Sequence, residues 1–176
     1  MEKKTALITG ATSGIGAACA RRFAHGGYDL ILAGRNQEKL HEVSLQLQKE
    51  GTDVLTLAFD ITNREAAMQA VSQLNDRWSQ IDVLINNAGL ALGLEKEYEG
   101  NMDEWDTMID TNIKGLLTMT RLVVPKMIER QCGHVINIGS VAGDAAYAGG
   151  NVYCATKAAV KALSDGLRID VAHTPI

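Results

Sequence analysis

The chain has 176 residues, 46% hydrophobic and 22% charged, with 17 Lys and Arg against 21 Asp and Glu for a net charge of −4. That length supports one domain with a substantial core, so a single unit over residues 1–176 is expected. The mild acidity, without any run of five like charges, argues against a nucleic-acid partner or a polybasic membrane anchor. No apolar run approaches the roughly 18 residues of a membrane span. The first apolar run, Ala6 to Ile8, is too short for a signal-peptide core.

In chain order, short β-rich runs alternate with longer helical patterns. Strands are predicted at Thr5–Thr9, Asp29–Ala33, Val54–Ala58, Val83–Asn86 and His134–Ile138, and helices at Ile15–His25, Gln37–Glu50, Arg64–Trp78, Met102–Arg130 and Asn151–Ala172. The strands are rich in Val, Ile and Leu and apolar on both faces, as when helices cover both sides of a parallel sheet. Five such units predict an α/β fold, a doubly wound, Rossmann-type open sheet. Pro125 falls inside the fourth helical pattern, where a kink or break is expected. Ala172–Ile176 reads as a helix ending before a further strand, so the chain is expected to be part of a longer domain whose C-terminal strands are missing.

Cys19, Cys132 and Cys154 are isolated and odd in number. They fit reduced thiols in a cytoplasmic setting better than a disulfide frame or zinc site. His25, His41, His134 and His173 are equally scattered, and no metal is expected. Met102, Met108, Met119 and Met127 could form an adaptable binding face, but core or subunit packing is the simpler role.

The first motif with chemistry is TGATSGIG, directly after the first strand and opening the first helix. Gly10, Gly14 and Gly16 permit a tight turn and bring backbone close to a pyrophosphate, which then rests on free N–H groups at a helix N-terminus. At the end of the second strand a carboxylate would hold ribose hydroxyls, whereas an arginine accommodates a 2′-phosphate. Arg35 stands there, followed by Asn36, while Asp29 lies at the wrong end of the strand. The cofactor is therefore expected to be NADP(H) rather than NAD. Later, Tyr153 and Lys157 sit four residues apart, on one face of a helix. A phenol beside an ammonium is either a packed aromatic with a snorkelling lysine or a tuned acid–base pair.

TGATSGIG, NNAG at Asn86–Gly89, Asn112 within DTNIKG, Ser140 within NIGSVAG, and Tyr153-x-x-x-Lys157 together resemble the short-chain dehydrogenase/reductase family, in order and at family-like separations. NNAGLALGLE, EWDTMIDTNIKG and YAGGNVYCATKA look like its bacterial NADP-dependent branch that oxidises serine and other 3-hydroxy acids. The resemblance implies that Tyr153 is the general acid in carbonyl reduction and the base in alcohol oxidation. Lys157 would favour the phenolate and hold the nicotinamide ribose, Ser140 would hydrogen-bond the substrate oxygen, and Asn112 would support a water-linked proton path behind Lys157. It also implies cofactor contacts from Thr12, Ser13 and Ile15 in the glycine turn, from Asp60 to the adenine amino group with Ile61 alongside, and from Asn87, Ala88 and Gly89.

The activity implied is hydride transfer between nicotinamide and a small secondary alcohol or carbonyl, with serine or 3-hydroxypropionate the best substrate class. The alternatives are a 3-oxoacyl thioester reductase and a nucleotide-binding or interaction module without turnover. A homo-oligomer, a tetramer by family resemblance, is expected through the fourth and fifth long helices.

Overall fold

In the computed structural model, which describes residues 3–176, five strands pair side by side, all parallel. They are β1 (Thr5–Thr9), β2 (Asp29–Gly34), β3 (Val54–Ala58), β4 (Ile81–Asn86) and β5 (His134–Asn137), in the order β3-β2-β1-β4-β5. The chain winds outward from β1 to β3, then returns to the other side of β1 for β4 and β5. The direction reverses between β1 and β4, and a crevice opens there at the carboxyl ends of the strands.

Alternation of side chains divides the core between the two faces of the sheet. Leu7, Ile31 and Leu84 point to one face, against Ala67 and Val71 of α3 (Arg64–Ser72) and Met119, Val123 and Met127 of α6 (Leu116–Arg130). Their neighbours Ala6, Ile8, Leu30, Leu32, Val83 and Ile85 point to the other, against Ala20 of α1 (Gly14–His25) and Leu40 and Leu47 of α2 (Gln37–Lys49). Leu7, Ile8 and Leu30 to Leu32 are wholly buried, each stabilising the fold by about 1.5–3 kcal/mol relative to exposure. The expectation of strands apolar on both faces thus holds for β1, β2 and β4. The outer strands β3 and β5 are only partly covered.

Two predicted helices are divided. The pattern Arg64–Trp78 is α3 plus a short α4 (Asp76–Ser79), because the Asn75 side chain accepts the Trp78 N–H and starts a new turn. The pattern Met102–Arg130 is α5 (Met102–Ile109), a π-helical segment (Asp110–Gly115) and α6. The interruption is not at Pro125, where a kink or break was expected: the helix is unbroken there. Helix α6 runs through Pro125, held by the buried side chains of Val123, Val124 and Met127 around it, whose packing offsets the roughly 3 kcal/mol cost of an interior proline. Helix α7 (Asn151–Asp170) ends two residues before the predicted limit, and a turn follows. Met108, Met119 and Met127 are core residues, whereas Met102 is exposed. Among the described residues no helix is long and apolar enough to cross a membrane.

Candidate active site

A cleft of about 570 Å³ runs along the carboxyl ends of the strands, from Arg35, Asn36 and Lys39 at one end, past the glycine turn, to Tyr153 and Lys157 at the other. Its floor depends on the local demands of the turn. Gly10 and Gly14 have φ of +65° and +52°, in the region that disfavours side chains. Gly16 answers a different need, since a Cβ there would lie 2.2 Å from the Gly10 carbonyl oxygen. It packs α1 against β1 and does not line the cleft. Ser13 precedes α1 with extended backbone and makes no side-chain cap bond. The first N–H groups of α1 therefore have no side-chain acceptor, and Thr12, Ser13, Gly14 and Ile15 all face the cleft.

The turn is braced from β4. The Asn87 amide nitrogen Nδ2 donates to the carbonyls of Thr9 (2.9 Å) and Gly10 (3.1 Å). The Thr9 hydroxyl accepts from the backbone N–H groups of Asn87 and Ala88, each at 3.0 Å, and lies 3.3 Å from the Ile85 carbonyl to which it donates. Thr9 opens the TGATSGIG motif but was not among the expected site residues, and it ties the two edges of the crevice together.

At the outer end, Asn36 caps α2 by accepting the Lys39 N–H at 2.9 Å. Asp60 accepts from Thr62 N (2.9 Å) and Oγ1 (2.7 Å), and its other oxygen is 3.6 Å from Arg35 Nη1. Partial burial pushes the Asp60 carboxyl upward, but the Thr62 hydrogen bonds and the Arg35 charge outweigh it and hold the group below the usual carboxylate range. Ile61 and Phe59 line the same region. Lys39, absent from the sequence expectation, has one signal that could have found it: it follows Arg35 by four residues, in the first turn of a capped helix.

At the inner end, Lys157 Nζ donates to the Ile138 carbonyl at 2.9 Å and sits 5.9 Å from the centre of the Tyr153 ring. The lysine is buried, 8% exposed, and burial lowers its pKa from the ordinary value. Asn112 is buried within the π-helical segment. Its Oδ1 accepts from Leu90 N (2.9 Å), and its Nδ2 donates to Leu90 O (2.9 Å) and Thr156 Oγ1 (3.0 Å). Both ends of the carboxamide are thus committed to joining the loop after β4 to α7. Gly89 and Ala88 line the cleft above it.

Ser140, like Gly16 and Asn112, is a predicted residue that does not line the cleft; Ile138 and Gly139 form the wall there. Its Oγ accepts from Ala142 N at 3.2 Å and caps a short 3-10 turn, Val141–Gly143. A hydroxyl that accepts one bond still has its own proton to donate.

Comparison with known proteins follows the same lines. Residues 4–176 match the family model described as short chain dehydrogenase. The chain belongs to the short-chain dehydrogenase family. Among its family relatives it is 51% identical over 170 residues to the NADP-dependent 3-hydroxy acid dehydrogenase YdfG of Salmonella typhi, covering 97% of this chain and 67% of that protein. It is 48% identical over 167 residues to the serine 3-dehydrogenase of Rhizobium radiobacter, covering 95% and 66%. Its fold is similar to the crystal structure of serine dehydrogenase from Escherichia coli, with a TM-score of 0.92, 48% identity and coverage of 97% of this chain and 77% of that one. A closed form of serine dehydrogenase complexed with NADP+ matches at a TM-score of 0.90, over 97% and 67%. The chain thus spans about two thirds of the length of the curated relatives it matches.

Proposed function

We propose that this short-chain dehydrogenase is an NADP-dependent oxidoreductase that moves a hydride between nicotinamide and a small secondary alcohol or carbonyl, a 3-hydroxy acid such as serine or 3-hydroxypropionate. One observation carries the reading: a single cleft has cations at its outer end, a glycine turn with helix N–H groups at its middle, and a phenol beside a buried lysine at its inner end. The fit to a dinucleotide is supported by Gly14, where a Cβ would meet nothing within 4 Å, so the turn faces open space in the cleft. The substrate class is supported by relatives named as 3-hydroxy acid and serine dehydrogenases.

Held by the glycine turn, Arg35 and Lys157, a bound nicotinamide would supply the hydride for carbonyl reduction and take it up in alcohol oxidation. The Tyr153 hydroxyl donates its proton to the carbonyl oxygen in reduction and takes it back in oxidation. Lys157 is fixed by Ile138 close to the phenol ring, and its remaining N–H groups can hold ribose hydroxyls. The Ser140 oxygen is oriented by Ala142 N, leaving its O–H to donate to the substrate oxygen. Asn112 acts by position: its carboxamide holds the loop carrying Leu90 against α7, so that Lys157 and the cofactor-lining segment Asn87–Gly89 keep their spacing. Arg35 addresses a 2′-phosphate, with Asp60 beside it for the adenine.

A homo-oligomer through these helices is part of the proposal, and the exposed Met102, Leu117 and Ile169 on α5, α6 and α7 supply apolar surface for it. A cytoplasmic setting is part of the proposal, and the separation of Cys19, Cys132 and Cys154, which form no disulfide among the described residues, is compatible with it.

Turnover tests the assignment: L-serine and 3-hydroxypropionate are assayed with NADP+ and with NAD+, and a 3-oxoacyl thioester with NADPH. Oxidation of a hydroxy acid with NADP+ preferred is the expected result. Reduction of the thioester alone would transfer the protein to the acyl-chain reductases, and a preference for NAD+ would contradict the role of Arg35.

A further inference from the structure

The outer end of the cleft holds two cations that are not equivalent. Arg35 leans on Asp60, its Nη1 3.6 Å from the carboxylate. Lys39 makes no ion pair among the described residues, although it is exposed and lines the same cleft. Its backbone is fixed there, because Asn36 accepts the Lys39 N–H and anchors the first turn of α2 beside the cleft. Lys39 thus lines the same end of the cleft as Arg35 and Asn36.

Resting on the NADP reading above, we propose that Lys39 reads the 2′-phosphate together with Arg35 and is a residue on which the choice of NADP over NAD depends. Charge counting leads to this. A phosphate monoester carries about −1.5 to −2 at neutral pH. Arg35 is already partly offset by Asp60, whose carboxyl is held ionised by Thr62 and Arg35 itself. Arg35 alone therefore leaves the phosphate under-compensated, and Lys39 supplies the missing charge as a mobile point donor, complementing the planar guanidinium. The proposal also explains why Asn36, which could have been a direct ligand, is occupied in capping: its bond to Lys39 N sets where the lysine starts.

The test is calorimetric titration of the whole chain with adenosine 2′,5′-bisphosphate and with adenosine 5′-monophosphate, for the wild type, Lys39→Gln and Lys39→Arg. Lys39→Gln is expected to weaken the bisphosphate by about 10- to 100-fold, the worth of one charge-assisted contact, and to leave the monophosphate unchanged. Lys39→Arg is expected to restore most of the bisphosphate affinity. Unchanged bisphosphate binding in Lys39→Gln would overturn the proposal while leaving the NADP reading intact, with Arg35 as reader. Equal weakening of both nucleotides would also overturn it, since the lysine would then act on the adenosine rather than the phosphate. Binding of neither nucleotide by the wild type would remove the NADP reading and this proposal with it. A melting temperature unchanged by either exposed substitution confirms that the fold is common to all three proteins.

Discussion

The two ends of the sheet are both concave and both charged, yet they are built oppositely. At the amino ends, Lys3, Asp29, Asp53, Arg77 and Asp82 surround a second depression. There most of the charges pair with one another, Lys4 being the exception among the described residues: Arg77 bridges Asp29 and Asp53, Asp82 accepts the Thr5 N–H at 2.8 Å and pairs with Arg130 at 3.3 Å, and Lys3 stands 3.5 Å from Asp29. At the carboxyl ends the side chains instead brace backbone, leaving the helix N–H groups, the phenol and Lys39 unengaged by one another. Concavity and charge alone therefore do not mark a site. What separates the two ends is whether donors and acceptors are already spent, and the amino end reads as a clasp for strand starts, the carboxyl end as a place for a ligand.

The sharpest way to break this contrast is at the inner end of the cleft. Tyr153→Phe removes one hydroxyl and is expected to lower turnover by at least about 10²- to 10⁴-fold in steady-state assays, with dinucleotide affinity retained. Substantial residual activity would take the phenol out of its role.

Lys157→Met should cost turnover on a similar scale while leaving stability unharmed, since a buried ammonium is replaced by an apolar chain of similar length. The pH dependence of that comparison has a definite sign. Burial lowers the Lys157 pKa below 10.5 in the folded state. Below the folded value both states carry the proton, and folding bears the cost of the buried charge. As pH rises from the folded value toward 10.5, the unfolded chain holds more protons and the wild type gains stability. Denaturant titrations should therefore show any advantage of Lys157→Met at neutral pH shrinking toward pH 10.5.

A smaller effect is expected at the floor of the cleft. Gly16→Ala forces a Cβ to within 2.2 Å of the Gly10 oxygen unless the turn moves, and should cost about 1–3 kcal/mol of stability together with weaker dinucleotide binding. At the opposite end of the sheet, Arg77→Ala leaves the buried Asp29 carboxylate short of its 2.8 Å partner. The melting temperature should fall by roughly 2–4 °C with turnover per folded molecule unchanged. A loss of turnover there would erase the distinction between the two ends.

The parts of this contrast that sequence could reveal are those set by local spacing. Alternating apolar strands, the glycines of TGATSGIG, and Tyr153 four residues before Lys157 each impose a geometry within one element or one turn. The rest depended on partners distant in sequence. Nothing near Pro125 announced that packing of Val123, Val124 and Met127 would carry α6 through it, or that the irregularity would fall at Asp110–Gly115. Asn112 was expected from the family resemblance to support a proton path behind Lys157, but the contacts that hold its carboxamide, to Leu90 and Thr156, lie 22 and 44 residues away. Ser140 was expected to hydrogen-bond the substrate oxygen, and the backbone partner that orients its oxygen, Ala142 N in the 3-10 turn after β5, is set by the fold of that turn. Lys39 went unread because its significance lies in the Arg35–Asp60 pair, which joins the ends of two neighbouring strands.

The measurement that bears most directly on the carboxyl end as the cofactor site is a fluorescence titration of the wild-type chain with NADPH and with NADH. A saturable change in nicotinamide emission is predicted, with NADPH bound at least about tenfold more tightly than NADH, as one additional charge-assisted phosphate contact provides. No saturable signal with either dinucleotide, or equal affinity for both, would contradict the account.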